Sequence, residues 1–132
     1  MEVKEIKNKI KVSRIDLVRM QIITEFIFFR KEQLIPTDID VLVLLAIDQP
    51  VELGRFCNKS TRVLYPDIEA EEFAIRSQNI RNRISKLEKR GVVKKDGTSK
   101  KMISINDKIS LYTKGDLLLT YNFLSFEADI IK

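Results

Sequence analysis

The sequence predicts a mainly α-helical fold that carries a β-hairpin: a long N-terminal helix, a helical core, and a β-prone C-terminal extension. Three observations lead there. Helical apolar spacing recurs in RIDLVRMQIITEFIFFRKEQL, TDIDVLVLLAID and VELGRFCNKSTRVLY. Ile80, Ile84 and Leu87 stand at i, i+4 and i+7, and Gly91 follows where a left-handed cap would close their helix. Two β-prone runs then flank Asp96-Gly97, the strongest short-range hairpin signal in the chain. The 132 residues suit one domain, divided here into a helical extension over 1–35, a core over 36–105 and a C-terminal extension over 106–132.

Ser13 followed by Asp16 has the form of a capping box, so the first helix is expected to begin there. Its apolar residues, from Ile15 to Phe29, cover more than one stripe and call for burial in the core or against a partner; IITEFIFF is β-prone enough to leave a strand open. Pro36 punctuates the chain, and Thr37 with Asp40 reads as a second capping box opening the apolar helix TDIDVLVLLAID. Asp48, Gln49 and Pro50 end it. VELGRFCNKSTRVLY follows as a short helix with Leu53, Phe56 and Cys57 inward and Arg55 and Lys59 outward. Tyr65-Pro66-Asp67 breaks the pattern, and the acidic DIEAEEF is an insertion or a short helix. Ser77 is the expected N-cap of the next helix, residues 77–90, and a hairpin over 92–105 follows it. From Asn106 onward there is a turn signal at Lys114-Gly115-Asp116 and then an aromatic, β-prone run with no clear assignment.

Charge singles out one part of this plan. Residues 76–101 hold ten Lys and Arg against Glu88 and Asp96, a local +8; the whole chain is +5, so the remainder carries −3. A mildly acidic body with one basic end is the footprint of a phosphate-binding face. At about 100° per residue from Ile80, Ile84 and Leu87 share the inner side, while Gln78, Asn82, Ser85 and Lys89 point opposite, flanked by Arg81 and Lys86. Gln and Asn pair with adenine, and Arg with guanine, in a major groove wide enough to admit a helix. Lys94, Lys95, Lys100 and Lys101 on the hairpin suit a backbone or minor-groove contact. The plainer alternative is that these lysines protect a hairpin edge from aggregation.

Helix, turn, helix and basic hairpin together make a winged helix-turn-helix. NIRNRISKLEKRGVVKK resembles the recognition helix and first wing strand of winged-helix DNA-binding regulators of the MarR type, above all in the Leu-Glu-Lys-Arg-Gly run Leu87 to Gly91. PTDIDVLVLLAID is similar to the helix preceding their helix-turn-helix, so the resemblance spans about residues 36–105. It implies a helix-in-major-groove role for Ser77, Gln78, Arg81, Asn82 and Ser85, and a wing role for Lys94 to Lys101. Two departures stand out. YPDIEAEEFAIR is far longer than the tight turn of such motifs, and Arg83 stands where that family usually has an aliphatic residue.

The function expected from this reading is nucleic-acid binding without catalysis, duplex DNA first, as in a transcriptional regulator that self-associates through the N-terminal helix or the C-terminal extension. The chain has no His for general-base work, and its four glycines form neither a phosphate-cradling loop nor a dinucleotide fingerprint. No enzyme activity, cofactor or metal is therefore expected. The carboxylates Asp67, Glu69, Glu71 and Glu72 read as a solvated face that either repels DNA or holds a partner's basic patch. The lone Cys57 suits a reducing compartment, and the N-terminus lacks the apolar core of a signal peptide, so the expected location is cytoplasmic. The alternative is a structural or assembly protein of a bacteriophage virion, a ring, neck or connector component whose partners are other virion proteins. The long stretch between the two helices of the motif favours it, and so does the apolar surface at both ends of the chain, more than a minimal winged helix needs.

Overall fold

In the computed structural model, which describes residues 13–30, 33–97 and 101–113, the chain runs α1 (Arg14–Ile23), a π-helical continuation (Thr24–Phe29), α2 (Pro36–Asp48), β1 (Val51–Glu52), α3 (Leu53–Leu64), α4 (Ala70–Lys89), β2 (Val93–Asp96) and β3 (Met102–Ile105). It is mainly helical, with one small antiparallel sheet in the order β1-β3-β2.

Ser13 caps α1, its Oγ accepting from the Asp16 amide at 3.1 Å. The helix passes without a break into the π-helical turns, so the strand option for IITEFIFF falls. Val18, Ile22 and Phe26, each four residues from the last, are buried, while Ile15 and Met20 stay exposed. The side chains of Ile27, Phe28 and Phe29 lie outside the described residues. Arg19 Nη1 reaches Asp40 Oδ1 at 2.6 Å and ties α1 to α2.

That pairing corrects the expected cap of α2. The helix starts at Pro36, with Ile35 at its N-cap position. Asp38, not Thr37 with Asp40, closes the end: its Oδ2 accepts from the Ile35 amide at 3.3 Å. Proline at the first helical position fixes the cap two residues earlier, because its missing N–H is one the helix would leave unpaired anyway. Val41, Leu42, Val43, Leu45 and Ala46 are buried, and α2 touches α1, α3, α4 and β3. The apolar helix is central, as its composition requires.

The segment VELGRFCNKSTRVLY is not all helix. Val51 and Glu52 form β1, pairing with Ile103 and Met102. Glu52 then caps α3, its two carboxylate oxygens accepting from the Gly54 and Arg55 amides at 3.0 Å each. Leu53, Phe56 and Cys57 are buried, and Arg55 and Lys59 exposed, as the spacing predicts. Burial pushes the Cys57 thiol above its usual pKa.

The largest correction concerns α4. It begins at Ala70, so Ser77 lies inside the helix rather than at its N-cap, and the AEEF half of DIEAEEF supplies the first turn instead of an insertion or a separate short helix. Glu71 and Glu72 sit where the positive end of the helix dipole favours carboxylates. The connection between α3 and α4 is only Tyr65 to Glu69. At the other end Gly91 has φ 77°. Its amide bonds Glu88 O and the Val92 amide bonds Leu87 O, both at 2.9 Å, a Schellman closure. Nothing stands within 4 Å of a Cβ built there, so Gly91→Ala meets only the left-handed backbone. It is expected to lower stability by about 1 kcal/mol, read from the midpoint of urea unfolding.

The hairpin pairs Val93 with Ile105 through to Asp96 with Met102. Asp96 is thus the last paired residue of β2 rather than part of the turn, and Gly97, just after it, takes a positive φ of 101°. Gln49 Oε1 accepts from the Ile105 amide at 2.7 Å and fastens the end of α2 to β3. After β3 the chain returns along α1. Ile109 is buried, Tyr112 and Gln21 exchange two hydrogen bonds at 2.6 and 2.7 Å, and Arg14 Nε donates to Thr113 O at 2.8 Å. Residues 1–12 of the N-terminal extension and 114–132 of the C-terminal one, with the expected turn at 114–116, lie outside the described residues. Among the described residues no helix is long and apolar enough to cross a membrane.

Candidate nucleic-acid interface

Ile80, Ile84 and Leu87 are all buried, which turns the opposite side of α4 outward. Arg83 fixes its rotation. Its Nε and Nη2 donate to Asp38 Oδ1 and Oδ2 at 2.6 and 2.8 Å, a bidentate pair. The Asp38 side chain is only 1% exposed and that of Arg83 21%. The hydrogen bond to Asp38 raises the Arg83 pKa further, so this cation serves the junction of α2 and α4 and not the surface. Ordinary surface contacts hold the helix on the α3 side. Arg62 lies over the Phe73 ring at 5.7 Å, and Arg76 stacks over Tyr65 at 4.7 Å while pairing with Glu72 at 3.3 Å.

The outward residues divide into three groups. Gln78 and Asn82 are exposed and joined, Gln78 Nε2 donating to Asn82 Oδ1 at 3.0 Å. Lys86 and Lys89 are exposed in the last turns, and among the described residues no carboxylate pairs with either. Ser77, Arg81 and Ser85 are half-buried, the first two toward α3. Ser77 Oγ donates to Asn58 Oδ1 at 3.3 Å. A guanidinium nitrogen of Arg81 stands 3.5 Å, and the Glu52 carboxylate 3.2 Å, from the point where a Cβ on Gly54 would sit, so Arg81 lies over the start of α3. The expected uniform reading face is thus narrower: two amides and two lysines face solvent with the half-buried Ser85 among them, and Ser77 and Arg81 line the α3–α4 seam.

The hairpin lysines differ from expectation. Lys94 Nζ lies 3.2 Å from Asp107 and 3.6 Å from Asp96, and the hydrogen bond to Asp107 raises its pKa. Lys95 Nζ lies 3.0 Å from Glu88 Oε2. Both are half-buried and engaged within the fold. Lys101 is exposed, but it precedes β3 in the turn instead of sitting on the strand. Lys100 lies outside the described residues.

Residues of α3 join this surface without having been singled out for it. Gly54, Arg55, Asn58 and Lys59, with Glu52, line a shallow depression beside α4. The cap at Glu52 matters here, since a helix N-terminus ordinarily attracts phosphate and this one already holds a carboxylate. The sequence carried that signal in the step from Pro50 to an acidic residue two positions later. No family model matches the chain, and neither a curated protein nor a solved structure matches it.

Proposed function

We propose that this chain is a non-enzymatic winged-helix protein that binds nucleic acid, duplex DNA before other forms, through the outer side of α4. The order α2, β1, α3, α4 and hairpin, with β3 between β1 and β2, supports the winged helix-turn-helix reading. So does the short connection from Tyr65 to Glu69: the extra residues lengthen α4 instead of the turn, which weakens one of the features that favoured a virion-assembly role. One observation carries the proposal. Gln78, Asn82, Lys86 and Lys89 stand exposed on the side of α4 opposite a fully buried spine, so base-pairing amides and phosphate-seeking ammonium groups share one accessible face. Arg81 lies beside it over the start of α3, and Lys95 ties the hairpin to Glu88 of α4.

Fluorescence anisotropy with labelled duplexes tests this. Binding is expected to weaken steeply with added salt, as counterions return to the phosphates. The variant Q78A/N82A is expected to reduce the difference in affinity between A·T-rich and G·C-rich duplexes, by about 1–3 kcal/mol for each lost adenine contact. Salt-insensitive binding, or an unchanged preference in Q78A/N82A, would remove α4 as the reading element.

A further inference from the structure

The outer side of α4 has a pattern that nucleic-acid binding does not account for. Glu71, Ile75, Gln78, Asn82, Ser85 and Lys89 follow one another at intervals of four, three, four, three and four residues, the spacing that keeps side chains on one seam of paired helices. At about 100° per residue all six fall within about 40° of the direction opposite Ile80. Five are exposed and Ser85 is half-exposed. The seam begins acidic, becomes apolar at Ile75 (61% exposed), passes through two amides and ends basic.

Turned end for end, this sequence matches itself. With two copies of α4 laid antiparallel about an axis at Ile80, Glu71 meets Lys89 of the second copy, Ile75 meets Ser85, and Gln78 meets Asn82. Each pair is equidistant from residue 80, so symmetry repeats every layer: opposite charges meet at the ends, amides meet near the centre, and Ile75 packs over the small Ser85 between them. Glu71 and Lys89, about 27 Å apart along the helix, would form ion pairs at both ends. Among the described residues neither has an ion-pair partner within its own chain. Ala74 and Lys86 flank the seam at the same distance from the centre, so a small residue stands where the long lysine of the other copy must pass.

We propose that α4 is also a self-association surface, pairing antiparallel with α4 of a second copy in a two-fold dimer. Such an interface is isologous, each patch being its own partner. It covers Gln78, Asn82 and Lys89; resting on the function proposed above, the dimer and the nucleic-acid complex therefore exclude one another.

Charge reversal at the ends of the seam tests the pairing. Light scattering on the wild-type chain without nucleic acid is expected to show a mass rising from 15.4 kDa toward twice that value with concentration, and falling back in high salt as the end pairs are screened. Glu71→Lys and Lys89→Glu, each alone, put like charges opposite at both ends and are expected to be monomeric. E71K/K89E, and an equimolar mixture of the two single variants, are expected to dimerise again, which a merely destabilised fold would not do. A wild type that stays monomeric throughout, or single variants that dimerise as well as the wild type, would overturn the pairing. A duplex that binds without lowering the dimer fraction would overturn the exclusion. Failure of any duplex to bind would remove the function proposed above and leave the dimer standing on its own result.

Discussion

Arg83→Ala is expected to cost about 3–5 kcal/mol of folding stability, because it leaves the Asp38 carboxylate buried without its cation. The guanidinium contacts both carboxylate oxygens, and Asp38 also holds the Ile35 amide at the start of α2. One carboxylate therefore both closes the start of α2 and joins it to the middle of α4. Urea unfolding of the variant measures the loss. The double variant D38L/R83L is expected to be more stable than R83A alone, since two apolar side chains carry no charge that needs a partner. A loss under about 1 kcal/mol in R83A would place the pair among ordinary surface bridges and leave the rotation of α4 to Ile80, Ile84 and Leu87.

K86A/K89A is expected to weaken duplex binding for every sequence alike, by about tenfold or more at physiological salt, and to lower the slope of log affinity against log salt by about two. Both side chains are exposed near the end of α4, and alanine suits a helix interior, so circular dichroism and the unfolding midpoint should hardly change. The contrast with Q78A/N82A is what matters. Lysines that only neutralise phosphates alter affinity and salt slope, whereas amides that read bases alter preference. A salt slope unchanged in K86A/K89A would move the phosphate contacts elsewhere, with Arg55 and Arg81 at the start of α3 as alternatives.

Much of this architecture was legible in short-range spacing. Ile80, Ile84 and Leu87 marked the inner side of α4, and Gly91 its end, because a helical turn and a left-handed cap are decided within a few residues. Ser13, the apolar α2 and the inward Leu53, Phe56 and Cys57 were readable for the same reason. The start of α4 was misplaced although its signal was present: Glu71 and Glu72 belong to a first turn, where the dipole favours them, yet four carboxylates in seven residues after a proline also read as an insertion. β1 had no comparable signal. Two residues are too few for a period, and Val51 and Glu52 are a strand only because Ile103 and Met102 lie beside them.

The sequence alone determined which side of α3 and of α4 turns inward and where most helices stop, since those properties depend on neighbours within one turn. Only the tertiary structure decided what the charges do. Arg83 is claimed by Asp38, 45 residues away, Lys95 by Glu88 and Lys94 by Asp107, so a basic run that reads as one phosphate-binding block is divided into structural cations and exposed ones. Partners brought together by folding decide that division, because an ion pair depends on distance in space and the sequence records only distance along the chain.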